Sequence, residues 1–590
     1  MKKYILLLLI LSSYKNINAQ SFEWAKRAGL YAFDLGYGVG ADNAGNVYIA
    51  GKYEMNAYFG GKYVSCAGNH DVYLAKYSSS GVFQWVRTAG GKWGDYAHAM
   101  VVDGAGNSYL TGEMEVTSKF GSVSLTSNGG NDIFVAKYDT HGNLLWAKRA
   151  GGSGSDQGLG ISLSQGSVYV TGKIQGKASF SGTTITSSGD DDIFIARYTT
   201  DGVFQWVKRA GGSGEDEGFA VSNDPSGNVY VTGHFSGSAS FSGTWLSSKG
   251  GSDVFIAKYN SAGALLWLKK TGGSANDAGN AIKVDKAGRV FVTGGFRYTS
   301  LFGSISLTAS GGNSDIFIAC YDASGNAMWA KKAGGGDNDS GRGIAVDGSS
   351  NIFITGNCGK SATFGSTKIT GADITEIYFA SYDVVGNFRW VLKAGGVTDA
   401  SDPDRFIEMG LSICTDPMGN VFASGAYRSS SSFGGTTLSA WNHTDVYLTK
   451  IRQGSAPGPN EEPLAALTSD SLVDTESENS FKTTSVTGLN AEDLLKEDDS
   501  LLVKIYPNPN YGMFTIEISG SHESAQPELA KIELLNIAGQ LVYLKQIPYN
   551  DQFLSAPLEL ESSVPAGMYF MQVTVGNRAG KVLRVILTER

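Results

Sequence analysis

Phe204-Gln205-Trp206-Val207-Lys208-Arg209-Ala210-Gly211 is one of seven near-copies of a single phrase. Its tryptophan recurs at Trp24, Trp85, Trp146, Trp267, Trp329 and Trp390, at intervals of 60 to 62 residues. A fixed period of this size means one structural unit copied around a ring or along a rod. Three other phrases travel with it. A short apolar run such as Ala281-Ile282-Lys283-Val284-Asp285 comes first. After a tight turn follows a second, such as Asn228-Val229-Tyr230-Val231-Thr232-Gly233. A long Gly/Ser-rich connection then carries one phenylalanine in register (Phe59, Phe120, Phe180, Phe241, Phe302, Phe364, Phe433), and Asp253-Val254-Phe255-Ile256-Ala257-Lys258-Tyr259 typifies the third phrase. β-Branched and aromatic runs bounded by Gly, Asn, Asp and Ser read as strands and turns. Residues 20 to 453 show no sustained helical period.

The four phrases occur seven times each, with a circular offset. The chain opens on a fourth phrase, at Trp24, and its last repeat ends on a third, Asp445-Val446-Tyr447-Leu448-Thr449-Lys450-Ile451. A rod has no use for that offset. A ring does, because the N-terminal strand then completes the last unit and latches the two ends. Four-stranded units repeated radially leave only short, protected edges. The predicted fold is all-β, a seven-bladed β-propeller over residues 20–453 closed by its N-terminal strand. Gly227-Asn228-Val229-Tyr230-Val231-Thr232-Gly233, then Asp253 to Tyr259, then Trp267, resembles the bacterial seven-bladed β-propeller repeat family, SBBP. That resemblance implies a fold and says little of activity, since propellers host many functions.

Both ends of the sequence carry addresses. Met1-Lys2-Lys3 precedes an apolar run from Tyr4 to Leu11 that is too short for a bilayer-spanning helix, and Asn18-Ala19-Gln20 offers a small-residue cleavage site. Residues 1–19 are therefore expected to be a signal peptide, cut between Ala19 and Gln20, and no transmembrane segment is expected in the mature protein. Residues 454–501 read as an acidic disordered linker. From Gly454 to Ser500 eleven acidic residues face two lysines, a net charge that equals the −9 of the whole chain.

Residues 502–590 read as a small β-sandwich, from alternating runs such as Met513-Phe514-Thr515-Ile516-Glu517-Ile518. Tyr506-Pro507-Asn508-Pro509 with Gly512, the run from Asn536 through Gly539 to Val542, Gly567-Met568-Tyr569, and a last strand opening at Lys581 resemble the C-terminal sorting domain of type IX secretion. The resemblance implies a Gram-negative, Bacteroidetes-type host, the type IX machinery as partner, and a protein secreted or held on the outer-membrane surface.

Glycine, 79 of 590 residues, is nearly twice its usual share of about 7%, as turn-rich repeats require. Cys66, Cys320, Cys358 and Cys414 share no spacing and are expected to be mostly unpaired. The six histidines stand in unrelated positions, beside no nucleophile motif, so no catalytic residue is assigned. No cofactor motif stands in the chain, and sequence-specific nucleic-acid binding does not suit an exported protein.

Several polar series remain. Asp34, Asp95, Asp156, Asp216, Asp277 and Asp339 recur between the Trp strand and the next first strand. Their local role is to accept backbone N–H bonds in a Gly-rich loop. The alternative is a cation site, with calcium suited best to the alternating oxygens of Asp337-Asn338-Asp339. Lys and Arg recur after each Trp, at Lys26-Arg27, Arg87, Lys148-Arg149, Lys208-Arg209, Lys269-Lys270, Lys331-Lys332 and Lys393, and are expected on outermost strands, where cations discourage edge-to-edge association. The seventh unit carries a longer connection, residues 398–409, holding Asp399, Asp402, Asp404, Arg405, Phe406 and Glu408. Long loops on a rigid scaffold favour binding, so Asp399, Asp402, Asp404, Arg405 and Phe406 form the candidate ligand contact. The expected function is a non-enzymatic binding or adhesion module for a glycan or protein partner. The alternatives are a hydrolase or lyase on the long-loop face and a passive envelope component.

Overall fold

The computed structural model describes residues 20–30, 32–371, 375–396, 408–453, 501–506, 513–520, 528–536, 541–549, 553–559, 567–575 and 578–587. Every element among them is a β-strand. The chain divides into two compact units, residues 1–463 and 464–590.

The first unit repeats one antiparallel pattern. In a representative repeat Asp216–Asn223 pairs with Val229–Phe241, which pairs with Thr244–Tyr259, which pairs with Leu265–Gly273. The first-to-second connection is a tight turn built on an aspartate. Asp224 Oδ1 accepts from the amides of Ser226 and Asn228, and its Oδ2 from the Asn228 amide group, while Gly227 sits at φ 81°. A side chain there would be strained and would run into Gln165. The same cage recurs at Asp42, Asp103 and Asp416.

The Gly/Ser-rich connection is not the long loop that its composition suggests. It is a β-hairpin that extends the second and third strands. In the first repeat Val47–Phe59 turns at Gly60-Gly61 into Lys62–Tyr77, with Asn56↔Ser65 to Phe59↔Lys62 in register. The second strand bulges just before this arm, where Met55, Val116, Gly176, Gly237, Tyr298 and Ser429 all have positive φ. The bend lets the arm reach the preceding Trp strand, pairing Ala28↔Phe59, Ala89↔Phe120, Ala150↔Phe180 and Ala210↔Phe241. The in-register phenylalanine is thereby buried against the third strand. Ring centroids lie 4.7 Å apart for Phe59–Tyr73, 4.8 Å for Phe120–Phe134, 5.0 Å for Phe241–Phe255 and 4.9 Å for Phe433–Tyr447. Such pairs add roughly 0.5–1.5 kcal/mol beyond area burial.

The hydrophobic core lies between repeats rather than within them. One cluster joins Tyr169 and Ile195 of one repeat to Val229, Phe235 and Phe255 of the next. Another joins Val47, Ile49 and Tyr73 near the N-terminus to Phe422, Val446 and Leu448. The N-terminal strand Ser21–Leu30 pairs antiparallel with Thr436–Arg452, from Ser21↔Arg452 to Ala28↔Val446. First strands stand side by side in chain order, and Met409–Thr415 packs beside Leu35–Ala41. Ser412 Oγ accepts from the Val39 amide at 3.2 Å across that junction.

The second unit holds two antiparallel sheets. Met513–Gly520 lies between Leu501–Tyr506 and Phe553–Glu559 in one; Leu541–Tyr549, Glu528–Asn536, Gly567–Val575 and Arg578–Leu587 lie in that order in the other. Alternate residues are buried, Ala530, Ile532 and Leu534 on one strand and Tyr569, Met571, Val573 and Val575 on its neighbour, as period-2 patterning requires.

Candidate functional site

The aspartate series forms buried backbone clamps. Asp216 Oδ2 accepts from the Gly212 amide at 2.7 Å and Oδ1 from the Ser236 amide at 3.0 Å, tying the fourth strand of one repeat to the second strand of the next. Asp34, Asp156, Asp277 and Asp339 repeat the geometry. Glu408 completes the series. It is fully buried and receives Ser431 Oγ, 23 residues ahead, as Asp95 receives Ser118 and Asp277 receives Ser300. It belongs to the scaffold, not to an exposed loop. The longer preceding connection and the change from Asp to Glu hid it from repeat counting.

The basic series also differs from expectation. Its second members are not free edge cations but partners of a fully buried acid on the third strand. The pairs are Arg27–Asp445, Arg149–Asp132, Arg209–Asp192, Lys270–Asp253, Lys332–Asp315 and Lys393–Glu376. Thr88 stands at this position in the Trp85 repeat. There Asp71 accepts from the Ala67 amide at 2.7 Å, as Asp132, Asp192 and Asp253 accept from the equivalent amides, and from the Tyr53 hydroxyl at 3.4 Å.

Clamp and third-strand acids lie close together. A Cβ on Gly151 would meet Asp132 Oδ1 at 2.5 Å and Asp156 Oδ2 at 2.9 Å, and Gly211 and Gly272 sit between equivalent pairs. Only glycine fits there, at φ 139°, 143° and 153°. Burial, with the neighbouring carboxylate adding to it against the amide hydrogen bonds, pushes Asp95, Asp216 and Asp339 up to about 7 and Asp156 and Asp277 up to about 6. No protein donor reaches Oδ1 of Asp71, Asp132, Asp192, Asp253 or Asp315. Folded-state values above the ordinary 3.8 mean that the folded chain holds protons the unfolded chain releases. This stabilisation is complete below about pH 4 and is lost as pH rises through about 6 to 7. Glu113, held low by His98, Asn131 and Gln157 against its burial, loses its contribution only at more acid pH. The melting temperature should therefore rise by several degrees between pH 8 and pH 5. A flat or falling profile over that interval would contradict the raised clamp carboxyls.

The other distinctive place is a cavity of about 510 Å³ lined by the first strands Leu35–Ala41, Asp95–Val102, Gln157–Ser164, Asp216–Asn223, Ala278–Val284, Ser340–Val346 and Met409–Thr415. Each strand shifts register at one point, between Gly158 and Gly160, Gly341 and Gly343, and equivalent pairs. The residues carried on these bulges are Tyr37, His98, Leu159, Phe219, Asn280, Arg342 and Leu411, and all of them line the cavity. Bulges re-aim side chains. Here they place seven residues of six types at equivalent points of near-identical repeats.

Tyr37 packs edge-on to His98 at 5.3 Å, and His98 Nε2 lies 3.1 Å from Glu113 Oε1. Arg342 donates Nε–H to Asn357 Oδ1 at 2.9 Å, and Asn280 donates to the Gly341 carbonyl at 2.7 Å. Three residues further along its strand than Asn280, Lys283 faces the same cavity. Lys283 and Arg342 lie deep in the protein yet keep water contact through the cavity, and desolvation lowers both below their ordinary values. No carboxylate lines the cavity. Cys414 does, and burial pushes its thiol up to about 12, which leaves no thiolate to act as nucleophile at neutral pH. All four cysteines are free.

The remaining candidate residues are dispersed. Asp339 spends both oxygens on the Gly335 and Gly359 amides, and Asn338 Oδ1 lies 3.3 Å from the Arg297 guanidinium. The segment Asp337-Asn338-Asp339 thus turns three of its oxygens toward N–H donors rather than toward a shared point. Among the described residues no three His, Cys, Asp or Glu side chains converge as a metal site. Asp399, Asp402, Asp404, Arg405 and Phe406 lie outside the described residues, as do Ala19, Pro507, Asn508, Pro509, Gly512 and Gly539. Gln20 precedes the first strand, Tyr506 ends Leu501–Tyr506, Gly567 and Tyr569 lie in Gly567–Val575, and Lys581 lies in Arg578–Leu587. The bulge residues escaped sequence reading, because register is invisible in one strand. The flanking small residues in Gly36-Tyr37-Gly38, Gly158-Leu159-Gly160 and Gly341-Arg342-Gly343 were the available signal.

These features define an exported protein of β-propeller repeats. Residues 329–357 match the family model of the SBBP β-propeller repeat, and residues 504–588 match that of the secretion system C-terminal sorting domain. The chain thus carries SBBP repeats and a type IX sorting domain. It is 26% identical over 385 residues to an uncharacterized WD repeat-containing protein, L264, of Acanthamoeba polyphaga mimivirus, covering 52% of this chain and 27% of that protein. It is 30% identical over 166 residues to the regulatory protein FlaEY of Caulobacter vibrioides, covering 27% of this chain and 17% of that one. The aligned regions thus span 27% and 17% of these relatives' own lengths. Among solved structures, a tetra-tandem repeat from the extending region of a large adhesion protein aligns over 95% of this chain and all of its own, at 12% identity and a TM-score of 0.14. That score does not define a shared fold.

Proposed function

We propose that residues 20–453 form a seven-bladed β-propeller closed by Ser21–Leu30, and that it acts as a non-enzymatic binding module for a glycan or protein partner. The module works outside a Gram-negative, Bacteroidetes-type cell. The closed reading is supported by the pairing of the first strand with the last and by the contact of Met409–Thr415 with Leu35–Ala41. One observation carries the binding role. Near-identical repeats present differing side chains at the bulge, a point of each first strand that lines the common cavity. Scaffolds that hold variable residues in fixed places serve recognition. The recurrent buried carboxylates are engaged by backbone amides and half-buried cations, which supports binding over hydrolysis. The test is to incubate the secreted chain with a glycan array and with outer-surface protein extracts. Retention of a defined ligand, recovered chemically unchanged, is expected. Steady conversion of any retained ligand to cleaved products would replace this reading with an enzymatic one.

A further inference from the structure

We infer that the cavity ringed by the bulge residues is a site for an acidic saccharide, whose carboxylate or sulfate is held by Arg342 and Lys283. The inference rests on the binding role proposed above and names its ligand class.

Charge carries the first step. Arg342 and Lys283 are the fixed cations of a cavity without a lining carboxylate. The acid nearest the ring, Glu113, is occupied by His98, Asn131 and Gln157, so it does not neutralise them. Arg342 uses only its Nε on protein, on Asn357. That bond orients a guanidinium whose remaining N–H donors suit the two oxygens of a carboxylate or sulfate. No hydrogen bond or ion pair ties the Lys283 ammonium to a protein carboxylate, and its cavity neighbour across the repeats is the neutral thiol of Cys414. Two water-accessible cations with no carboxylate among the described lining residues make the cavity electropositive, which favours an anionic ligand.

Shape and surface carry the second step. A volume of about 510 Å³ far exceeds a bare ion. The bulge ring also presents Tyr37, His98 and Phe219, half-buried rings against which a sugar face can pack, beside the amide of Asn280. Arg342 sits at the bulge level and Lys283 three residues deeper on the neighbouring strand. At about 3.3 Å rise per residue, this spaces the two cations by roughly 10 Å along the cavity. That interval suits an oligosaccharide with acidic groups on successive units better than a single small anion.

The experiment measures calorimetric affinity of the full secreted chain for three probes: trigalacturonate, a sulfated chondroitin disaccharide and neutral maltotriose, with inorganic sulfate as competitor. At least one acidic probe should bind, weakening steeply with salt, while maltotriose does not. Arg342→Met and Lys283→Met should each reduce that affinity at least tenfold. Arg342→Met also removes the Asn357 hydrogen bond, so Leu159→Glu provides an independent variant. It leaves both cations in place, sets a carboxylate in the ring, and should also abolish binding with little change in melting temperature. Equal affinity for maltotriose, unchanged affinity in all three variants, no acidic probe bound at millimolar concentration, or inorganic sulfate bound as tightly as the sugars would each overturn the inference. An array ligand held equally by the wild-type and Arg342→Met chains would overturn the channel site and leave the binding role standing. A chain that retains nothing on array or extract would remove both.

Discussion

A chain lacking Ser21–Gly29 is expected to aggregate and to melt about 10 °C or more below the parent. The deleted strand supplies the backbone partners of Thr436–Arg452 from Arg452 to Val446. It also supplies specific anchors. Thr449 Oγ1 donates to the Trp24 carbonyl at 2.8 Å, and Lys450 pairs with Glu23 at 3.1 Å. Phe22 packs edge-on to both Phe379 and Phe433 at 5.5 Å, and Trp24 donates to the Ser79 carbonyl in the first repeat. Burial of Phe22, Ala25 and Ala28 alone contributes several kcal/mol, at about 25 cal/mol per Å². Their loss leaves the edge from Val446 to Arg452 with unpaired N–H and C=O groups, a template for pairing with other chains. A synthetic peptide spanning residues 21–30, added in trans, should restore monodispersity by strand addition. A truncated chain as stable and monomeric as the parent would show that the latch bears no weight.

That strand was legible because its phrase is complete: Trp24-Ala25-Lys26-Arg27-Ala28-Gly29 matches Trp146 to Gly151 residue by residue and the other copies closely. Strand identity follows from side-chain period and turn chemistry, both local properties of sequence. The hairpin arms were not legible, since serine and glycine carry little strand propensity and their pairing comes from the Phe anchor and the positive-φ bulge before it. The basic series was placed on the correct strand but given the wrong role. Only the antiparallel register brings Arg209 opposite Phe194 and so beside Asp192. The cavity was least legible of all. Tyr37, His98 and Arg342 are far apart in sequence and share no residue type, and their common position exists only once the repeats are arranged together.

Deleting residues 504–588 is expected to abolish appearance of the protein outside the cell while leaving the repeats folded. Each unit builds its sheets from its own strands. No strand of residues 20–453 loses a pairing partner when the second unit is removed, so the melting temperature of the remaining chain should stay within a few degrees of the parent. The sorting domain is a recognition element for the type IX machinery, and recognition of a folded module is all-or-none when the module is absent. The shortened protein should accumulate, protease-resistant, between the two membranes. Transplantation sharpens the test, because residues 464–590 form a compact unit with their own buried residues, Ile516 in one sheet and Ile532, Leu534, Met571 and Val573 in the other. Fused behind an unrelated periplasmic reporter, this unit should carry the reporter outside a cell with type IX secretion. Replacing Met571 with Asp buries an unpaired charge in the centre of the four-stranded sheet, at a cost of several kcal/mol, and should stop export of both the reporter and the native protein. Export of the 504–588 deletion at parental levels, or loss of repeat folding on making it, would separate the sorting domain from the role its sequence assigns.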